Sequence, residues 1–374
     1  MNVSRFTAQR TASELGVAIH SAIQRVITSG CYIGGAEVEC FECECERYLG
    51  CQAAVACASG TDAIELALRS LGLPSGSLVA TTAFTFAATA SAIVAAGLRP
   101  MFVDIDQTTM QICPDALRRT ITSEVSAVLP VSLYGRPLDK RIFAVAAERE
   151  LPVVEDACQS FGAGVDQDSS GRRATLTAFS FFPTKPLGCM GDGGMVVTSD
   201  LELAARVRAI GRHGVTDRKH FPSFPGRNSR LDAMQAAILR AKLPFVQRWR
   251  RRRESQAATY ERALASLVTP PAPHPGHAWA LYAIRCPRRD DLLTSLRGAG
   301  IDAAVFYPSG LHQTAAFRSS VHLPQTEEAA NKVLCLPISA TITDEENHAV
   351  IEAVARWAET SRTTRDYQDT HSEA

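Results

Sequence analysis

The chain of 374 residues lacks an excess of charge of either sign, because 39 lysine and arginine residues balance 39 aspartate and glutamate residues. Proteins that bind nucleic-acid backbones are usually basic, so a nucleic-acid partner is not expected. No stretch reaches the roughly 18 apolar residues that predict a membrane-spanning helix. The polar N-terminal residues also lack the apolar core of a signal peptide. We therefore expect a cytoplasmic protein without a membrane contact.

Lysine is scarce, and disulfide bonds are not expected. Only five of the 39 basic residues are lysine, so a lysine in a chemical context is informative. The eleven cysteines are odd in number and scattered, which is typical of reduced intracellular thiols. Cys40, Cys43 and Cys45 fall within one predicted helix without a second pair of ligands, and Cys43 and Cys45 cannot share a helical face. No metal is expected.

Short apolar runs alternate with helical segments through the first two thirds of the chain. This pattern predicts strands over 53–57, 77–82, 100–105, 125–133, 153–157, 175–182 and 194–199. Seven strands separated by helices indicate an α/β fold with an open, mostly parallel sheet.

The last third of the sequence predicts a smaller C-terminal α+β domain. A strand over 282–286, a helix over 289–299, a short strand over 304–306 and a helix over 344–358 follow a proline cluster at 269–275. The arginine-rich run RWRRRR (248–253) is typical of a solvated or salt-bridged helix face, or of a subunit contact. We expect an N-terminal helix and large domain over 1–245, a small domain over 246–360 and a disordered tail over 361–374.

Residues that could take part in binding or catalysis lie at three strand ends. Gly60 and Thr61 lie where a strand meets a helix, a position at which free backbone N–H groups bind anions. Asp156 ends a buried strand, at the edge of the sheet where ligands bind α/β proteins. Lys185 lies in an apolar loop, and an apolar setting lowers the pKa of a lysine enough for Schiff-base formation.

Each feature alone has an ordinary structural explanation: a helix cap, a capping aspartate or a solvated lysine. Together, an anion cup, an acid for a heterocyclic nitrogen and a Schiff-base lysine specify one cofactor, pyridoxal 5′-phosphate.

Longer stretches of the sequence resemble the DegT/StrS family of sugar aminotransferases, which are pyridoxal-phosphate enzymes of fold type I. The resemblance covers about residues 30–340 in family order. The matching stretches are SGTDAIELAL (59–68), TFAATASAI (85–93), PMFVDID (100–106), VSLYGRPLD (131–139), VVEDACQSFGA (153–163), FSFFPTKPLG (179–188), GDGGMVVT (191–198), RHG (212–214), NSRLDAMQAAI (228–238) and YPSGLH (307–312).

The resemblance implies a role for each matching site residue. Lys185 would form the Schiff base and move the proton, and Asp156 would pair with the pyridine nitrogen. The other roles follow the family as well: Gly60, Thr61 and Ser180 on the phosphate, Phe86 stacked on the ring, Gln159 beside the ring oxygen, Asn228 reaching in from a neighbouring subunit, and Tyr307 and His312 near the sugar. Asn228 therefore implies a homodimer with shared active sites.

The implied reaction moves an amino group from an amino acid, L-glutamate in this family, to a keto-sugar nucleotide in amino-sugar biosynthesis for an antibiotic or a surface polysaccharide. The stretch FFPTKPLGCMGDGG (181–194), with Asp192, and Ser132 in VSLYG resemble the branch that aminates C3. UDP-2-acetamido-3-keto-glucuronate and dTDP-3-keto-6-deoxyhexoses are the expected substrate classes. A cyclitol aminotransferase, an aminated-ring synthase of the same family and a non-catalytic regulatory homologue stay open as alternatives.

Overall fold

A computed structural model describes residues 2–164, 170–216 and 220–372. Seven strands form the sheet of the large domain: β1 (Ala53–Cys57), β2 (Leu78–Thr82), β3 (Arg99–Val103), β4 (Val125–Leu129), β5 (Val154–Asp156), β6 (Leu176–Ser180) and β7 (Gly194–Thr198). Two ladders, β1-β7-β6-β5 and β3-β2-β4, join through parallel bridges at Val128–Val153 and Val131–Asp156. All seven predicted strands are present, and the predicted mostly parallel α/β sheet is confirmed.

Within this sheet, β7 runs antiparallel to both of its neighbours, β1 and β6. Since β6 and β7 are consecutive and antiparallel, the loop between them returns along the same edge of the sheet. That loop contains Lys185, which is therefore held at the carboxyl ends of the parallel strands.

Helices cover both faces of the sheet and extend into the small domain. They are α1 (Ala8–Glu14), α2 (Gly16–Ser29), α3 (Ala36–Leu49), α4 (Gly60–Ser70), α5 (Ala87–Ala95), α6 (Pro114–Thr120), α7 (Lys140–Ala147), α8 (Leu201–Gly211), α9 (Ala233–Lys242), α10 (Val246–Leu264), α11 (Arg289–Gly298), α12 (Pro324–Lys332) and α13 (Asp344–Ser372). Helix α3 ends at Leu49 and is followed by Gly50, whose left-handed backbone (φ 67°) suits glycine.

The core lies in layers on the two sides of the sheet. Ala54 and Ala56 of β1 pack with α3 and α9, whereas Val55 and Cys57 pack on the other side with α4 and α8. Successive strand residues point to opposite faces, so an all-buried β1 fits a strand covered on both sides.

The small domain differs from its prediction in one strand. Its sheet pairs β8 (Tyr282–Arg285) antiparallel with β9 (Val333–Leu336), which was not predicted. The predicted strand over 304–306 provides only a bridge from Ala304 to Cys335. Because this segment pairs with β9 at a single residue, the apolar run over 304–306 does not form a strand.

The first residues of the chain pack on the small domain. Val3 bridges to Ile301, and the Arg5 guanidinium forms an ion pair of 2.9 Å with Asp302. The predicted domain limits, 1–245 and 246–360, stay predictions.

At the other end, the backbone of α13 continues to Ser372, through most of the tail predicted as disordered over 361–374. Residues 361–372 contain neither glycine nor proline, so nothing in them forces a helix to end. Residues 373–374 lie outside the described part of the chain.

Three arginines of the run on α10 form ion pairs, whereas Arg253 is buried and donates to the Ala278 carbonyl over 2.8 Å. Arg248 and Arg252 pair with Glu14, and Arg250 pairs with Glu254. Among the described residues no helix has the length and apolar character to cross a membrane. The same part of the chain contains no cluster of three metal-ligating side chains.

Candidate active site

A cavity of about 720 Å³ lies at the carboxyl ends of the parallel strands, between the large domain, the small domain and the N-terminal segment. Eight of the predicted site residues line it: Gly60, Thr61, Phe86, Asp156, Gln159, Ser180, Lys185 and Tyr307. These residues come from separate stretches of sequence, and the sheet brings their strand ends to one edge.

The cup at the start of α4 is closely packed. Ser59 caps the helix by accepting a hydrogen bond of 3.1 Å from the Asp62 amide. A Cβ atom at Gly60 would lie 2.6 Å from Ser180 Cβ and 2.8 Å from Cys158 Sγ. The ends of β1, β5 and β6 therefore meet at a position that only glycine fits, and the backbone N–H groups there stay open to an anion.

Asp156 is buried and held by neutral donors. Its Oδ2 accepts a hydrogen bond of 2.7 Å from Thr89 Oγ1, and its Oδ1 accepts one of 3.2 Å from the Cys158 amide. Among the described side chains, no cation forms an ion pair with it. A buried carboxylate without a cation is costly, so this geometry fits a positively charged heterocyclic N–H as the missing partner.

Lys185 is fixed through its loop and not through its amino group. Its backbone N–H donates to the Phe182 carbonyl over 2.9 Å, and Lys242 Nζ donates to the Gly188 carbonyl over 2.7 Å. In the described part of the chain no hydrogen bond or ion pair occupies Lys185 Nζ. The amine is therefore held in the cavity with its nitrogen free to react.

Gln159 links the two domains beside the cavity. Its Oε1 accepts from the Tyr134 amide over 2.6 Å, and its Nε2 donates to Tyr307 Oη over 3.3 Å. Burial raises the pKa of the Tyr307 hydroxyl, so this group stays neutral. The ring centroids of Phe86 and Tyr307 lie 6.4 Å apart, and Phe86 is 60% exposed. This exposure leaves the face of the Phe86 ring free to stack on a planar ligand.

The other two predicted site residues do not line the cavity. His312 is buried, and its Nε2 lies 3.2 Å from Glu327 Oε1. Asn228 is exposed, and its backbone pairs with Arg212. The proposed contact of His312 with a sugar and the proposed reach of Asn228 into a neighbouring subunit stay predictions.

Thr89 and Lys242 are two further residues at the cavity that were not predicted from the sequence. Thr89 lies three positions after Phe86, so a helix beginning at the end of β2 places both residues near the same site. Lys242 is one of only five lysines, so the scarcity of lysine distinguishes it in the sequence as it distinguishes Lys185. Burial lowers the pKa of the Lys242 ammonium group.

Comparison with known proteins identifies the family. The model of the DegT/DnrJ/EryC1/StrS aminotransferase family matches residues 14–355. The chain belongs to this family. DegT-family aminotransferases depend on pyridoxal phosphate, and the donors of this cavity fit that cofactor: a cup for its phosphate, a carboxylate for its ring nitrogen and an amine for its aldehyde.

Individual relatives are similar over nearly the whole chain. A Streptomyces venezuelae dTDP-3-amino-3,4,6-trideoxy-alpha-D-glucose transaminase is 40% identical over 92% of this chain and 93% of its own length. A Geobacillus stearothermophilus protein named pleiotropic regulatory protein is 39% identical over 96% of this chain and 99% of its own. The crystal structure of S. venezuelae DesV in complex with a ketimine intermediate has a TM-score of 0.91 and 38% identity, covering 96% of this chain and 99% of that chain. The fold is therefore that of a DegT-family transaminase.

Proposed function

We propose that this DegT-family transaminase moves an amino group from an amino acid, L-glutamate, to C3 of a keto-sugar nucleotide in amino-sugar biosynthesis. The observation that carries this proposal is the meeting of Lys185, Asp156 and the Gly60–Thr61 cup in one cavity. A cofactor phosphate, ring nitrogen and aldehyde need these three groups together.

Each of these residues performs a distinct task. The N–H groups of Gly60 and Thr61 and the Ser180 hydroxyl hold the phosphate, while Phe86 covers the face of the ring. Asp156 accepts the ring N–H and keeps that nitrogen protonated. Bound pyridoxal phosphate supplies an electron sink for the carbanion at the amino acid Cα. With the cofactor bound, Lys185 Nζ would take up the proton from that Cα and hold it for return to the product.

The sugar specificity is supported by similarity rather than by a direct contact. The S. venezuelae relative is named for a 3-amino sugar linked to dTDP. Ser132, one of the residues that resembles the C3 branch, is fully buried and donates to Glu155 Oε1 over 2.6 Å. Since it does not line the cavity, it contributes to specificity only through the structure around the site. Asp192 does line the cavity.

A homodimer is part of the proposal. Asn228 is exposed, and two aromatic residues that line the cavity, Phe86 and Phe182, are 60% and 46% exposed. Apolar side chains at the cavity mouth fit coverage by a second copy of the chain. The proposal also places the enzyme in the cytoplasm, because all eleven cysteines are free thiols.

The alternatives differ in substrate or in the loss of catalysis. A regulatory role is supported by the name of the Geobacillus relative, but Lys185, Asp156 and the cup are all intact here. A cyclitol transaminase would use the same cavity chemistry, so the choice of acceptor separates it from the proposal.

The first test is Lys185→Ala. Without the amine, turnover should fall by at least about 10²-fold, the lower end of the range for a positioned base. Borohydride treatment should link the cofactor to the peptide containing Lys185 in the natural protein and to no peptide in the variant. Lys140→Ala, at an exposed lysine, is the matched control. Normal turnover by Lys185→Ala contradicts the assignment.

The second measurement identifies the acceptor. With L-glutamate as donor, 3-keto sugars linked to dTDP or UDP should be aminated faster than the corresponding 4-keto sugars or a keto-cyclitol. Preference for a 4-keto sugar or a cyclitol overturns the substrate assignment and leaves the transaminase chemistry intact. Cofactor binding without amination of any of these acceptors favours the regulatory alternative.

A further inference from the structure

Two buried acids lie directly behind the proposed phosphate cup. Asp62 follows Thr61 in the first turn of α4, and Glu65 lies one turn further on. They are 8% and 5% exposed. Arg227, from the segment before α9, pairs with both: its Nη2 lies 3.1 Å from Asp62 Oδ1, and its Nη1 binds Glu65 Oε2.

The charge of these acids opposes the proposed function of the cup. A phosphate bound at Gly60 and Thr61 would carry up to two negative charges next to the residue that precedes Asp62, whose own side chain does not line the cavity. Like charges on neighbouring residues of a partly buried site repel one another. The guanidinium of Arg227 forms ion pairs with both carboxylates. Its positive charge would therefore offset the repulsion between Asp62 and the bound phosphate.

A second arginine, Arg69, allows the effect of the Arg227 charge on Asp62 to be distinguished from a purely structural effect. Arg69 Nη1 lies 3.2 Å from Glu65 Oε1, and its Nη2 donates to the Pro225 carbonyl over 2.8 Å. It forms no ion pair with Asp62 among the described contacts. Arg69 therefore fixes the same segment without neutralising the acid closest to the cup.

The segment containing Arg227 also contacts the residue just before the cup, through the side chain of Ser229. Ser229 Oγ accepts a hydrogen bond of 3.2 Å from the Ala58 amide, immediately before Ser59. The position of Asn228 between Arg227 and Ser229 is thus fixed relative to the cup.

We propose that Arg227 is a positioning residue that sets the phosphate affinity of the cup by neutralising Asp62, while its contact with Glu65 holds the guanidinium in place. This inference rests on the proposed assignment of Gly60 and Thr61 as the cup.

The test compares pyridoxal phosphate with pyridoxal, which lacks the phosphate, in binding to the cofactor-free protein. Arg227→Met should weaken binding of pyridoxal phosphate about tenfold or more, as expected for the loss of one nearby opposite charge. Its affinity for pyridoxal should stay unchanged. Arg227→Lys should recover part of the loss, and Arg227→Met combined with Asp62→Asn should recover most of it. Asp62→Asn alone should strengthen binding of pyridoxal phosphate relative to pyridoxal.

Arg69→Met is the control and should leave the ratio of the two affinities unchanged. Equal weakening of both ligands by Arg227→Met, no weakening, or no recovery with Asp62→Asn would each overturn the inference. Gly60→Ala tests the cup separately. If Gly60→Ala prevents phosphate-dependent binding while Arg227→Met does not, only the role of Arg227 fails. If Gly60→Ala has no effect, the assignment of the cup fails.

Discussion

At the scale of single residues, the hydroxyl of Thr89 donates to the carboxylate of Asp156, the residue proposed to pair with the cofactor ring. Thr89 Oγ1 donates to Asp156 Oδ2 over 2.7 Å and lies 3.0 Å from Thr85 Oγ1. All three side chains are almost fully buried. In such a buried setting, a hydrogen bond to a charged group contributes more free energy than a hydrogen bond between neutral groups.

Replacing Thr89 by valine should therefore slow the reaction. Thr89→Val keeps the shape of the side chain and removes the donor, so we expect kcat to fall about tenfold or more, in line with the worth of a hydrogen bond to a charged group. Thr81→Val, at a buried threonine that donates to the Leu129 carbonyl away from the cavity, should lower the melting temperature without changing kcat. Equal kcat values for Thr89→Val and the natural enzyme would show that Asp156 is oriented without Thr89.

At the scale of secondary-structure elements, β5 places two consecutive carboxyl groups in different surroundings. Asp156 faces the cavity, whereas Glu155 is fully enclosed, with Ser132 Oγ at 2.6 Å and the Gly171 amide at 3.3 Å. Burial raises the pKa of the Glu155 carboxyl, and the hydrogen bonds from Ser132 and Gly171 only partly oppose that rise. The Glu155 carboxyl therefore links β5 to Ser132, earlier in the chain, and to Gly171, later in the chain. Burial of its charged form lowers the free energy of unfolding.

This cost makes stability depend on pH. Between the ordinary glutamate pKa of 4.5 and the raised pKa of Glu155, the folded protein keeps a proton that the unfolded chain has lost. The free energy of unfolding therefore falls as the pH rises through this window. Glu155→Gln removes this dependence, so its melting temperature should exceed that of the natural protein by a few degrees at neutral pH, and by less near pH 4. A difference that does not change with pH would contradict the protonation argument.

At the scale of the whole molecule, the cavity is open on a side lined by exposed aromatic rings. Phe86 and Phe182 lie there, while Asn228, which the family resemblance assigns to a neighbouring subunit, does not line the cavity of its own chain. The proposed homodimer explains both observations, because a second copy would cover the rings and supply the amide.

Mixing two inactive variants tests this arrangement. Lys185→Ala and Asn228→Ala should each be poorly active alone. Refolded together, they should form mixed dimers in which one of the two sites has an intact Lys185 from one subunit and an intact Asn228 from the other. Random pairing predicts recovery of about a quarter of the natural activity. No recovery in a mixture in which the two differently tagged variants co-purify as mixed dimers would mean that Asn228 does not act across subunits.

The sequence by itself determined the seven strands of the large sheet and indicated eight of the residues that line the cavity. The alternation of apolar runs with helical segments reports which backbone is buried and with what period, and the seven strands follow from it. Gly60, Asp156 and Lys185 could be assigned to one site because strand ends of a parallel sheet share an edge. The family motifs added Gln159 and Tyr307, which the structure places at the same cavity.

Only the tertiary structure decided the contacts between residues that are distant in the chain. The antiparallel direction of β7, the hydrogen bond from Thr89 to Asp156, the burial of His312 against Glu327 and the pairing of Arg227 with Asp62 have no signature in local sequence. The physical reason is that periodicity encodes the burial of each segment, whereas the partner that a buried polar group finds depends on how those segments pack against one another.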